Sequence, residues 1–135
     1  VTTKEPRLGC GVAIVVDGRI LLLKRRTDPE AGCWGLPGGK VDLYETAAHA
    51  AEREIREELG IGIAATTLLC LVDQIDQARG EHWFAPVYLV RTFTGEPVIV
   101  EPDKHDGLAW FPLDAPPEGL TVPTIAALRA LRGAA

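Results

Sequence analysis

The chain has 135 residues, 14 of them Lys or Arg and 19 Asp or Glu, for a formal net charge of -5 with its three histidines neutral. A chain of this length closes one hydrophobic core without disulfide or metal staples, so a single domain over residues 1–135 is expected. The acidic balance speaks against nucleic-acid binding, which wants a basic stripe, and no apolar run is long or uninterrupted enough to cross a bilayer. Any phosphorylated ligand then needs a cation to mediate. The first residues carry no basic segment followed by an apolar one, so the expected location is the cytoplasm. Cys10, Cys33 and Cys70 have no metal-ligand spacing and are odd in number, which argues for reduced thiols.

In chain order, Val12 to Val16 and Ile20 to Leu23 read as two strands joined by Asp17-Gly18, the dipeptide of a two-residue primed turn. Lys24 to Lys40, rich in charge, Gly and Pro, reads as a connection long enough to be functional. From Thr46 to Leu59 a helix is expected, with Ala48, Ala51, Ile55 and Leu59 as its buried stripe. Thr46 is its N-cap and Gly60 its stop, although His49 stands where a capping box would place Glu. Leu68 to Val72, Trp83 to Val90, Val98 to Val100 and Leu108 to Phe111 read as strands. Pro112 to Pro123 is a stiff connection, and Pro123 to Arg132 a terminal helix with Ile125, Leu128 and Leu131 inward. Strands with two separated helices imply an α/β fold, a mixed sheet covered on both faces.

The chemistry concentrates in the first helix, where Glu54, Glu57 and Glu58 stand at i, i+3 and i+4 and place carboxylates side by side. At about 4 Å and an effective dielectric near 20, a like-charge pair costs up to about 4 kcal/mol, so either a cation sits there or the helix face is solvated and paired with Arg53 and Arg56. All-oxygen carboxylate clusters suit Mg2+ or Mn2+, which keep waters and bridge to phosphates.

The spacing separates these readings. Gly39, Glu45, Arg53-Glu54-Ile55, Glu57-Glu58 and Gly60-Ile61 follow the pattern G-x5-E-x7-R-E-U-x-E-E-x-G-U, where U is apolar. The chain therefore resembles the Nudix hydrolase family, over about residues 9–131, with Trp34 to Gly39 and Trp110-Phe111 as further family-like features. The resemblance implies the Nudix fold, a mixed β-sheet between α-helices, and a divalent-metal-dependent pyrophosphohydrolase of the MutT type. It implies metal ligation by Glu57, Glu58 and the Gly39 carbonyl, with Glu54 as a further ligand or as the general base. Arg53 matches the arginine that pairs with Glu45 and orients Glu54, and Arg25 matches a phosphate-binding residue. Lys40, directly after the glycines, is a second candidate for phosphate, since both can donate charge-assisted hydrogen bonds.

Other residues carry less. Trp34 and Trp83 read first as packing and second as base-stacking platforms. His49, His82 and His105 lack spaced partners for zinc and read as solvated or core histidines. Relatives often carry one more metal-binding Glu before the late-strand Trp; the matching position here is Lys104, leaving Glu101, Asp103 or Asp106 to substitute. Gln77 stands where ADP-ribose-cleaving members usually place Pro, and the short chain resembles members that hydrolyse nucleoside triphosphates. The expected reaction is (d)NTP plus water to (d)NMP and pyrophosphate. An ADP-ribose or nucleoside diphosphate sugar pyrophosphatase is the alternative, and a non-catalytic nucleotide-binding regulator on the same fold a second. The expected partner is a small nucleotide, and a homodimer stays open.

Overall fold

In the computed structural model, which describes residues 5–133, a sheet of seven strands separates two helices. The strands are β1 (Arg7–Val16), β2 (Arg19–Arg25), β3 (Trp34–Gly35), β4 (Gly38–Lys40), β5 (Leu68–Asp76), β6 (Glu81–Val90) and β7 (His105–Pro112). The helices are α1 (Ala47–Leu59), between β4 and β5, and α2 (Val122–Gly133) at the end.

Asp17 and Gly18, with φ of 52° and 74°, make the expected primed turn, and they pair Val15 with Ile20 and Val16 with Arg19. Beyond those two pairs the hairpin forks. β2 runs antiparallel to β7, while β1 runs parallel to β6 and antiparallel to the short β4. Pro37 and Gly38 occupy the fork, where the Val12 amide donates to the Pro37 carbonyl at 2.9 Å. The segment expected as a connection from Lys24 to Lys40 thus carries two short strands, because its backbone amides find partners in β1 and β2.

Both faces of the sheet are covered, so its central strands are apolar on both sides. Val12, Ile14, Leu21 and Leu23 pack with Ala50, Ala51, Ile55 and Leu59 of α1, and Ala13, Val15, Ile20 and Leu22 with Ala127 and Leu128 of α2. The Thr46 hydroxyl accepts the His49 amide at 3.1 Å, and Gly60, at φ 71°, closes α1 in the left-handed conformation.

Two expectations are corrected. Val98 to Val100 form no strand. Their amides donate instead to the Leu59 and Glu58 carbonyls, at 3.0 and 3.1 Å, satisfying two carbonyls that the end of α1 leaves without helical partners. In α2 the inward stripe is rotated: Ile125 is exposed, whereas Thr124 and Ala127 are buried with Leu128. The cause is the Thr124 hydroxyl, which accepts the Leu36 amide at 3.1 Å and bonds to Thr121 at 2.7 Å, fixing the helix by a polar contact that apolar periodicity does not register.

Candidate functional site

α1 presents its polar face to the loop between β4 and the helix, and Arg53 ties the two together. Its Nε and Nη2 donate to the two Glu45 carboxylate oxygens at 2.8 and 3.0 Å, and Nη2 also donates to the Lys40 carbonyl at 3.0 Å. This forked pair is the strong kind of ion pair, planar donor against planar acceptor. It holds the Glu45 carboxyl down at about 2, and its charge raises Arg53 further above the ordinary arginine value. The remaining guanidinium nitrogen, Nη1, donates to Glu54 at 2.9 Å and reaches Glu57 at 3.2 Å.

Glu58, one residue on, has no share of Arg53. Its carboxyl is buried between α1 and the fork, accepts the Gly38 amide at 2.7 Å and lies 3.6 Å from His105 Nε2. Burial pushes it up to about 8, against the Gly38 hydrogen bond that lowers it, and the charges of Glu54 and Glu101 push the same way. Glu54 is raised too, first by burial and only partly offset by Arg53.

The glycines of the fork are sterically required. A Cβ on Gly39 would overlap the Glu54 carboxyl, and one on Gly38 would overlap the Cys10 carbonyl and the Gly11 backbone. The Gly39 carbonyl lies in the β1–β4 ladder opposite Cys10 and also accepts the weak Cys10 thiol, at 3.6 Å, and that buried thiol is pushed up to about 11.

A cleft of about 390 Å³ opens beside this cluster. Glu58, Gly38, Gly39, Lys40, Arg25 and His105 line one part of it. Arg25 is half-buried and anchored by Nε to the Pro29 carbonyl at 2.7 Å, while Arg26 turns to the Pro102 carbonyl. Lys40 is exposed. Trp34 packs edge-on against Phe111 in the core, with ring centres 4.8 Å apart, but Trp83 lines the cleft.

Among the described residues no three His, Cys, Asp or Glu side chains converge into a closed metal cage. The donor set nevertheless fits a hard cation. Four carboxylates, Asp42, Glu45, Glu54 and Glu57, share one guanidinium. Glu58 is buried with only His105 in ion-pair range among the described residues, an imidazole whose proton affinity burial lowers, so positive charge is what the cluster lacks. Of the three acids that could stand in at Lys104, Glu101 adds to the charge at Glu58, and Lys104 itself pairs with Glu101 at 3.3 Å.

A pH effect follows. Because the folded carboxyl of Glu58 sits near 8 and an ordinary one near 4.5, the folded protein holds a proton that the unfolded chain has released between those values. Stability without divalent metal is therefore expected to fall as pH rises from about 4.5 to about 8, and Glu58→Gln to flatten that fall. Thermal melts in chelator at pH 5 and pH 8 check it; equal slopes for the two proteins would contradict it.

Sequence reasoning missed the floor of the cleft, although Trp83 on its wall was weighed as a stacking platform. Gly9 and Gly11 of β1 lie on the same sheet face as Trp83, Ala85 and Val87 of β6, and their missing side chains make the hollow. Alternate glycines just before an apolar strand run were the available signal, since glycine in a strand marks close approach of a ligand or backbone. His105, expected as a solvated or core histidine, is buried, and the sequence did not announce its place beside Glu58.

The family model for the NUDIX domain matches residues 5–130. The chain belongs to the Nudix hydrolase family. A solved MutT Nudix hydrolase from Burkholderia pseudomallei is 61% identical and superposes with a TM-score of 0.93, covering 95% of this chain and 99% of that one. The CTP pyrophosphohydrolase of Escherichia coli is 32% identical over 123 residues, 87% of each chain. The ADP-ribose pyrophosphatase of Methanocaldococcus jannaschii is 36% identical over 99 residues, which span 69% of this chain but only 59% of that protein. Nudix hydrolases generally use divalent metal ions, and the oxygen-rich cluster on α1 agrees with that habit.

Proposed function

We propose that this protein hydrolyses a (d)NTP to (d)NMP and pyrophosphate with Mg2+ or Mn2+. The observation that carries the reading is the meeting of a charge-deficient carboxylate cluster with a cleft walled by Arg25 and Lys40. Glu57, Glu58, Glu54 and the Gly39 carbonyl would hold the cation. When bound, it neutralises phosphate oxygens and lowers the pKa of water. Glu54, its affinity for a proton raised by burial, accepts the proton of the attacking water. Arg53 holds Glu54 in place and, through Glu45, fastens the glycine loop to α1. Arg25 and Lys40 bind the phosphate oxygens that carry charge as the anhydride breaks.

A second reading, cleavage of ADP-ribose, is favoured by the name of the M. jannaschii relative. The first reading has the support of the E. coli relative, which is similar over more of its length. Product analysis on a panel of triphosphates and ADP-ribose, in Mg2+ and Mn2+, tests both. Monophosphate with pyrophosphate is expected; AMP with ribose 5-phosphate from ADP-ribose, and none from triphosphates, would replace the first reading with the second. Binding without turnover would turn both aside for a nucleotide-binding regulator.

A further inference from the structure

Toward the start of β1, three strands place Arg7, Trp83 and Gln74 in one row, because Arg7 pairs with Trp83 and Trp83 with Gln74 in the sheet register. All three line the cleft beyond its glycine floor. The Arg7 guanidinium lies 5.5 Å from the centre of the Trp83 ring, so the wall is a flat aromatic with a cation against it.

Facing this row is Glu30, from the loop between β2 and β3. Its backbone has φ 61°, a left-handed conformation that a non-glycine residue adopts at a cost. Its carboxylate is fixed at both oxygens: one accepts from Gln74 Nε2 at 2.9 Å, the other from the Val122 amide at the start of α2 at 3.0 Å. A carboxylate has about four acceptor sites, so each oxygen retains capacity for a further donor. The cleft therefore holds a preorganised pair of adjacent acceptors beside an aromatic wall.

Resting on the triphosphatase reading above, we propose that Glu30 selects the base, and that the base is guanine or a ring with the same edge. Guanine presents N1–H and the N2 amino group side by side, two donors that match two carboxylate oxygens. Adenine and cytosine present one amino group next to a ring-nitrogen acceptor, which the second oxygen repels. Uracil and thymine present one N–H between two carbonyls. A 2-amino-4-oxopteridine carries the guanine pair of donors and is accepted on the same ground. Trp83 offers the ring face for stacking.

The test compares wild type and Glu30→Gln on GTP, CTP, ATP, UTP and a 2-amino-4-oxopteridine triphosphate. Gln keeps the shape and one acceptor but turns the other into a donor. Wild type is expected to prefer GTP, and the ratio of kcat/KM for GTP over CTP is expected to fall about 10- to 100-fold in the variant, the usual worth of a bidentate base contact. The pteridine arm is expected to fall with GTP. Equal turnover of GTP and CTP by wild type would overturn the proposal, as would a variant that slows both alike, which is what mere loosening of α2 does. If no triphosphate is hydrolysed, the triphosphatase reading fails by itself. Calorimetric titration with GDP and CDP then decides this proposal: tighter GDP binding that Glu30→Gln abolishes supports it, and equal binding refutes it.

Discussion

Glu54→Gln is expected to lower kcat about 10²- to 10⁴-fold, the usual contribution of a positioned general base, with a much smaller change in KM. The expectation rests on where Glu54 stands. It is half-buried, which raises its proton affinity; one oxygen is held by Arg53 at 2.9 Å; and it lies over Gly39, whose missing side chain makes the room. Gln preserves volume and one acceptor, so the fold and the Arg53 contact survive while the proton acceptor is lost. A base must be ionised, so wild-type kcat is expected to fall as pH drops far enough to protonate Glu54, and the residual rate of Glu54→Gln to lack that limb. Steady-state kinetics across pH 5–9 measures both. A variant with near wild-type kcat would move the role of base to another residue.

Arg53→Ala is expected to damage stability and turnover together. Removing the guanidinium leaves Asp42, Glu45, Glu54 and Glu57 without their shared cation and frees the glycine loop from α1. Removing one partner of a buried pair costs about 3–5 kcal/mol; Arg53 keeps partial contact with solvent, so about 2–4 kcal/mol is expected. Loss of kcat should be at least as large as for Glu54→Gln, because the base and the loop lose their holder at once. Urea unfolding and kinetics on the same preparation check it. Arg53→Lys separates charge from shape: the ammonium keeps the charge but cannot fork across Glu45, so it should recover part of the stability and little of the rate. A stable, active Arg53→Ala protein would contradict the positioning role.

What could be read from the sequence was local. The Asp17-Gly18 turn, the Thr46 and Gly60 caps and the apolar stripe of α1 follow from turn chemistry and helical period within a few residues. The Arg53 bridge to Glu45 was legible only through the family resemblance, although the two residues lie just eight apart. Long-range placement was not legible. The forking of β1 from β2 is decided by β4, β6 and β7, whose partners lie tens of residues away. The amides of Val98 and Val100 were drawn to helix-end carbonyls rather than to a strand, and a hydroxyl contact turned α2 so that Thr124 displaced Ile125. Glu30 reaches Gln74 across 44 residues and Val122 across 92, contacts that no local pattern announces. His105 meets Glu58 for the same reason, since β7 pairs with β2 and starts beside the fork.

Pyrophosphate release from a triphosphate panel, with Mg2+ and with chelator, by wild type and by Glu57→Gln, reaches the central claim most directly. The account predicts release that requires the metal and is lost in the variant, since Glu57 is more exposed than Glu54 or Glu58 and so the freest of these three to turn to a cation. Release that persists in chelator, or a variant as active as wild type, would contradict it.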